Sequence, residues 1–553
     1  MILPHINEIA SLCAAHGIQQ AVVSPGSRSA AISLAFENHP EIEVKVIADE
    51  RSAAFIAMGI AQQQQKAVAL ICTSGSAVYN YAPAVAEAYY QEIPLLVITA
   101  DRPPEWTNQY DGQTIQQDGI FGKHVKSSFS LPVDLTHADA QWHSNRLINE
   151  AILLTEGFPK GPVHLNVPIR EPFYPADGET FSFPETRVLK AASIEKQLSD
   201  SSWKELSKIW NENKKRLLVI GQMEPNPKLT ESLQKLIGVS AIPVISEITA
   251  NQHGLETAIT KQDLFLQGNP SLESPEVLIT IGKSLISKNL KIFLRKNPPK
   301  YHWHIHQGNR LNDALQHLSH SIDMKPENFI AKLAEWGDKA GENSFSNDWK
   351  KASKACVERS QSFVESCDFG ELKATAICLT KLPADSQLHL ANSMSVRYTN
   401  FLGVRQTGVE IYCNRGTSGI DGSNGTAVGA ALSSGKLVTL LTGDMAFLYD
   451  RNAFWHSYDL SNLRIIVQNN AGGGIFGMIR GPRSQAGYEK LFQTDQPLTA
   501  KMTAKEYGFE YATAKNEDQL RDELKTFFKP SSSAKILEVF SDPNENEQIF
   551  ASY

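Results

Sequence analysis

From residue 19 onward the chain alternates short runs of Val, Ile and Leu with longer segments whose apolar residues recur at helical spacing. That alternation predicts parallel sheets with crossover helices, and hence an α/β fold. In the first third the predicted strands are Gln20 to Ser24, Glu43 to Ala48, Ala67 to Cys72, Leu95 to Thr99 and Val163 to Val167. Between them, Ala53, Ile56, Ala57 and Ile60 share one face of a helix predicted over Ser52 to Gln64. Residues 171 to 200 lose the pattern and carry Pro172, Pro175 and Pro184 among polar residues, which predicts a linker. A second block follows, with strands at Arg216 to Gly221, Ile242 to Ser246, Glu276 to Gly282 and Tyr301 to His306. The polar stretch from Trp336 to Trp349, with Gly337 and Gly341, marks the next boundary. The third block has strands at Gln387 to Asn392, Val409 to Cys413, Lys436 to Thr442, Leu463 to Gln468 and Ala534 to Phe540. The expectation is three consecutive domains with mainly parallel sheets flanked by helices, over residues 1–180, 195–340 and 355–553.

The 553 residues suit several domains, and a net charge of -7 lacks the basic footprint of a nucleic-acid binder. The apolar runs are far shorter than the roughly 18 residues of a membrane span. The first Lys or Arg is Arg28, so the N-terminus lacks the positive region of a secretory signal, and the expected compartment is the cytoplasm. Six cysteines without C-x-x-C spacing argue against a disulfide framework or a zinc site. His302, His304 and His306 alternate on one predicted strand, a spacing open to a transition metal or to ordinary strand residues.

In open parallel sheets, ligands bind at the carboxyl ends of strands. Asp444, in Thr442-Gly443-Asp444, ends one apolar strand, and Asn470 lies 26 positions later at the end of another, followed by Ala471 and Gly472. A carboxylate, an amide oxygen and a glycine carbonyl suit a hard divalent cation that also takes diphosphate oxygens, with magnesium the natural candidate. Gly-Asp followed after about 25 to 30 residues by Asn-Asn resembles the diphosphate-anchoring motif of thiamine diphosphate enzymes. Met445 stands where a third glycine often follows, which leaves the carboxylate ligand in place.

This resemblance implies that residues 1–170 and 370–553 form the pyrimidine-binding and diphosphate-binding domains, with thiamine diphosphate and Mg2+ (or Mn2+) as cofactors. Asp444, Asn470 and Gly472 would hold the metal, and Gly75, Gly443, Met445, Ile475 and Phe476 would line the cofactor. Ile420 would be the apolar wedge that bends it. The acid facing N1′ of the aminopyrimidine would be Glu50, in Ala48-Asp49-Glu50-Arg51, placed between a strand and the helix expected near Ser52. In that architecture Glu50 of one subunit meets the cofactor of another, so a homodimer or homotetramer is expected.

Arginines at strand ends narrow the substrate class. Arg28 lies in Ser24-Pro-Gly-Ser-Arg-Ser29, Arg102 in Thr99-Ala-Asp-Arg-Pro, Arg397 after Ser393, and Arg415 in Asn414-Arg-Gly-Thr-Ser-Gly-Ile-Asp-Gly422. Four guanidinium groups so placed point to strongly anionic substrates. Together with Thr73-Ser-Gly-Ser-Ala77, these motifs resemble the 2-succinyl-5-enolpyruvyl-6-hydroxy-3-cyclohexene-1-carboxylate synthase family of menaquinone biosynthesis. That resemblance spans nearly the whole chain and implies decarboxylation of 2-oxoglutarate followed by 1,4-addition of the four-carbon carbanion to isochorismate. Ser27, Arg28, Arg102, Gln113, Ser393, Arg397 and Arg415 would orient these dicarboxylates, with Lys288 reaching in from the middle domain. The family commonly has a basic residue after that lysine, where this chain has Asn289. Other thiamine-dependent 2-oxoacid decarboxylases, acetolactate synthase-like carboligases and non-catalytic proteins of the same fold are the alternatives.

Overall fold

Three parallel sheets follow one another along the chain, each covered by helices. The computed structural model describes residues 3–553 apart from 172, 184, 193, 256, 268–270, 309, 338–342 and 480. Pro172, Pro184 and Gly341, which the sequence assigns to a linker and a boundary, lie outside the described residues.

The first sheet contains β1 (Gln20–Val23), β2 (Glu43–Val46), β3 (Val68–Cys72), β4 (Leu95–Asp101), β5 (Ser128–Ser130) and β6 (Val163–Pro168), in the order β2-β1-β3-β4-β6-β5. The middle sheet contains β7 (Arg216–Ile220), β8 (Val244–Ser246), β9 (Val277–Ile281), β10 (Tyr301–Ile305) and β11 (His320–Ile322), in the order β11-β10-β9-β7-β8. The third contains β12 (Gln387–Leu390), β13 (Glu410–Cys413), β14 (Val438–Gly443), β15 (Leu463–Asn469), β16 (Glu510–Ala514) and β17 (Lys535–Phe540), in the order β13-β12-β14-β15-β17-β16. Counted from its own first strand, the third sheet repeats the strand order of the first. In all three the order reverses beside the first strand, and that switch point is where such sheets open a crevice for ligands.

The central strands read as unbroken apolar runs because helices bury both faces; β3, β4, β6, β7 and β9 are buried along their whole length. The strands that the apolar pattern misses are β5, β11 and β16. Each is the outermost strand of its sheet and only partly buried. An edge strand has one unpaired side and needs no continuous apolar run.

The helix over Glu50–Gln64 starts before the expected Ser52. Asp49 is its N-cap, accepting a hydrogen bond from the Ser52 amide at 3.1 Å, which puts Glu50 in the first helical turn. This helix crosses Ser423–Ser433 of the third domain with backbones in direct contact. A Cβ at Gly59 would lie 2.3 Å from the Thr426 carbonyl oxygen, and one at Gly429 2.2 Å from that of Ile56. One apolar cluster therefore runs from Ile56 and Ile60 into Ala427 and Val428.

Phe345 and Trp349, at the end of the polar stretch expected as a boundary, are buried. They start the helix Ser344–Ser366 and pack with Phe293 of the middle domain, while Phe363 of the same helix meets Tyr553. His302 Nε2 and His304 Nδ1 both lie 2.9 Å from the Thr280 hydroxyl, and His306 pairs with Glu92. Among the described residues no group of three or more His, Cys, Asp or Glu forms a metal cluster. All six cysteines are free thiols, five of them buried. Among the described residues no helix is long and apolar enough to cross a membrane.

Candidate active site

The β14–β15 register pairs Thr442 with Val467 and Gly443 with Gln468, so the chain delivers Asp444 and Asn470 from adjacent strand ends. Both side chains are buried. The Gly472 amide lies 3.0 Å from Asp444 Oδ2 and 3.1 Å from Asn470 Oδ1, so the two oxygens converge on one hydrogen. Gln496 donates to the same Asp444 oxygen at 2.6 Å, and the Met445 amide to the other at 2.7 Å. Burial pushes the Asp444 carboxyl up to about 6 despite these donors.

Beneath this pair lies an acid that the sequence reading does not single out. Glu371 Oε1 accepts from Asn470 Nδ2 at 2.7 Å, while Oε2 is buried with no hydrogen-bond partner among the described residues. Burial, and then the negative charge of Asp444, raise Glu371 to about 8. The buried Asp444 carboxylate and the Asn470 amide oxygen converging beside it fit a hard divalent cation, because they supply negative charge and oxygen donors in a low-dielectric site. After them, Ile475 opens the short helix Ile475–Met478, and the ring of exposed Phe476 lies tilted against that of Phe492, centroids 5.9 Å apart.

The substrate candidates fall into two groups. In the first domain Arg28 is buried, donates to the Ile169 carbonyl at 2.9 Å and lies over the Phe173 ring. Burial, and then the charge of Arg102, depress its pKa, while Glu171 at 3.7 Å partly offsets them. Arg102 pairs with Asp111 at 2.9 Å and reaches the Gly112 carbonyl, next to exposed Gln113. Ser27 is exposed beside them, its hydroxyl 3.2 Å from that of Tyr174. The Gly75 amide donates to Gln117 Oε1, and Gln117 donates to the Ala100 carbonyl, which ties the ends of β3 and β4 together.

In the third domain Arg397 donates to the Ser393 carbonyl at 2.7 Å, and Arg415 to Asn392 Oδ1 at 3.0 Å. Burial, and then Arg415, depress the Arg397 pKa. Arg415 Nε is buried with no partner among the described residues. Exposed Lys288 opens the helix Lys288–Lys296. Asn289 does not replace the missing cation: its amide and side chain both bond to Asp263, at 2.7 Å each. The loop is held from below by buried Glu247, which accepts from the Ile286 and Ser287 amides.

Glu87 is a second buried acid that sequence reasoning missed, although a lone carboxylate in the apolar helix Ala82–Gln91 is a readable signal. It accepts from the Gly416 and Thr417 amides at 2.7 and 2.6 Å and from the Thr417 hydroxyl. A first-domain residue thereby fixes the loop that carries Arg415 and exposed Ile420. Glu87→Ala is expected to lower Tm, each buried donor left unpaired costing on the order of 1–3 kcal/mol. It should also raise KM for the anionic substrate by displacing Arg415. Steady-state kinetics with thermal melts check this, and an unchanged KM would show that Arg415 is held by other contacts.

Glu50 is half-buried, and its neighbours face the far end of the Asp444–Tyr449 helix. Asp49 accepts from Asn452 at 2.8 Å, and Arg51 donates to the Tyr449 carbonyl at 2.8 Å while stacking over that ring.

Residues 7–120 match the family described as "Thiamine pyrophosphate enzyme, N-terminal TPP binding domain", 188–390 "Middle domain of thiamine pyrophosphate", and 394–539 "Thiamine pyrophosphate enzyme, C-terminal TPP binding domain". The chain is 44% identical to the 2-succinyl-5-enolpyruvyl-6-hydroxy-3-cyclohexene-1-carboxylate synthase of Cytophaga hutchinsonii, over 99% of this chain and 98% of that protein. It is 38% identical to the proteins of the same name from Flavobacterium psychrophilum, covering 100% of this chain and 98% of that protein, and Bacteroides thetaiotaomicron, covering 99% and 98%. With thiamine pyrophosphate domains at both ends and full-length similarity to these proteins, the chain belongs to the 2-succinyl-5-enolpyruvyl-6-hydroxy-3-cyclohexene-1-carboxylate synthase family of thiamine pyrophosphate enzymes.

Proposed function

We propose that this protein decarboxylates 2-oxoglutarate and adds the resulting four-carbon unit to isochorismate, giving 2-succinyl-5-enolpyruvyl-6-hydroxy-3-cyclohexene-1-carboxylate for menaquinone biosynthesis. The observation that carries the reading is the set of arginines at strand ends, Arg28 and Arg102 in the first domain and Arg397 and Arg415 in the third, each anchored by hydrogen bonds to the backbone or side chains around it. Arg28 and Arg102 already face Glu171 and Asp111, but Arg415 Nε is buried with no partner among the described residues, a donor suited to a carboxylate, and both substrates are dicarboxylates.

Thiamine diphosphate, when bound, supplies the nucleophilic carbon and the electron sink that decarboxylation requires. Asp444, Asn470 and the Gly472 carbonyl would hold Mg2+ (or Mn2+) against its diphosphate, with Gly75, Gly443, Met445, Ile420, Ile475 and Phe476 lining the cofactor. Glu50 would hold a proton at the aminopyrimidine N1′. Ser27, Arg28, Arg102 and Gln113 on one side, and Ser393, Arg397, Arg415 and Lys288 on the other, would clamp the substrate carboxylates and keep the reacting atoms aligned.

The proposal includes a cytoplasmic homodimer or homotetramer with shared sites. Within one chain the neighbours of Glu50, Asp49 and Arg51, meet Asn452 and Tyr449 at the end of the Asp444–Tyr449 helix away from Asp444, which supports a site completed by the partner's first domain. Incubation with thiamine diphosphate, magnesium, 2-oxoglutarate and isochorismate is the test, with loss of isochorismate expected. Carbon dioxide release with isochorismate untouched would make the protein a simple decarboxylase.

A further inference from the structure

We propose that Glu371 is a positioning residue of the cation site, whose carboxyl oxygen takes the Asn470 amide hydrogen and so keeps the Asn470 oxygen turned toward Asp444. The inference rests on the proposed metal site and adds a residue that the diphosphate motif does not contain.

An asparagine side chain presents either of two nearly isosteric ends. Only the oxygen binds a hard cation, and the NH2 end would turn partial positive charge toward it. Two contacts set the choice here. The Gly472 amide requires an acceptor at Oδ1, but it divides its hydrogen between Asn470 and Asp444, at 3.1 and 3.0 Å. Glu371 Oε1, at 2.7 Å from Nδ2, is the undivided contact. Asn470 and Glu371 are both buried, so bulk water is poorly placed to substitute for a lost partner.

The surroundings fix Glu371 from its backbone outward. Its amide donates to Asn546 Oδ1 at 2.8 Å, and Asn546 belongs to the C-terminal helix Pro543–Ser552. Its carbonyl accepts from Gln468, which also donates to the Thr375 hydroxyl at 2.6 Å. Gln468 lies on β15, two residues before Asn470. The strand that presents the amide ligand therefore also grips the first turn of Glu371–Leu379, the helix that orients that ligand. From the other side, a Cβ at Gly474 would come within 2.5 Å of Asn470 Nδ2, so the backbone closes on the amide there. An acid that merely favoured a helix N-terminus would face solvent and affect stability alone.

The test is calorimetric titration of magnesium into protein mixed with excess thiamine diphosphate, without substrates, after subtraction of the heat of magnesium binding to the free cofactor. Glu371→Ala should raise the magnesium Kd about 10–100-fold, the usual effect of losing a group that orients a metal ligand. KM for 2-oxoglutarate at saturating magnesium should stay unchanged. Glu371→Gln should restore Kd to within about threefold of wild type, because its amide oxygen accepts the same hydrogen. Should Glu371→Ala lose its circular dichroism, Glu371→Met, which fills similar volume without an oxygen acceptor, takes its place with the same expected shift. In an Asn470→Asp background, whose two oxygens need no orienting, adding Glu371→Ala should weaken magnesium no further. An unshifted Kd in the Ala or Met variant, or a Gln variant as weak as either, overturns the inference while leaving the proposed function standing. Wild-type protein that takes up no magnesium overturns both.

Discussion

Glu50→Gln is expected to abolish turnover while leaving the fold and cofactor uptake intact. The substitution removes one ionisable group from the first turn of Glu50–Gln64 and keeps its volume. The Asp49 cap and the Arg51 contact with Tyr449 do not depend on it. Loss of a proton-transfer group costs about 10^2 to 10^4 in rate. Isochorismate consumption should fall by that factor, with unchanged circular dichroism and thiamine diphosphate affinity. Turnover near the wild-type rate would remove Glu50 from the proton path.

The second large effect is expected at Asp444. Asp444→Ala deletes the carboxylate that accepts from Gln496, Met445 and Gly472, and leaves Glu371 without the cation that would offset its burial. Magnesium-dependent uptake of thiamine diphosphate should be lost, and activity with it. The same variant tests the shared site. Mixing refolded Asp444→Ala and Glu50→Gln chains should recover about a quarter of wild-type sites, the share expected when chains reassort at random into two-fold dimers. No recovery would mean that acid and cation cage come from one chain.

The parts of this molecule that were readable from sequence are those whose burial is complete or whose chemistry sits at a strand end. β3, β4, β7 and β9 announce themselves because helices cover both faces, whereas β5, β11 and β16 border solvent and lack that pattern. Asp444 and Asn470 were legible as strand-terminal oxygens at a characteristic separation. Glu371 was not, because its partner lies 99 positions away and only the tertiary fold shows that its carboxyl is buried. Glu50 was legible as an acid after β2, but the start of its helix was placed late, since Asp49 caps one turn before the apolar periodicity begins. The role of Asn289 was likewise invisible: the family resemblance implies a lost cation, and only the packing shows Asp263 taking both of its donors.

The Gly59–Gly429 crossing has a mechanical consequence. With two helix backbones touching and no side chain between them to slide or compress, sliding of the first domain against the third would create a backbone clash at this crossing. Any rearrangement that admits the substrates of the proposed reaction would have to come from elements other than these two helices.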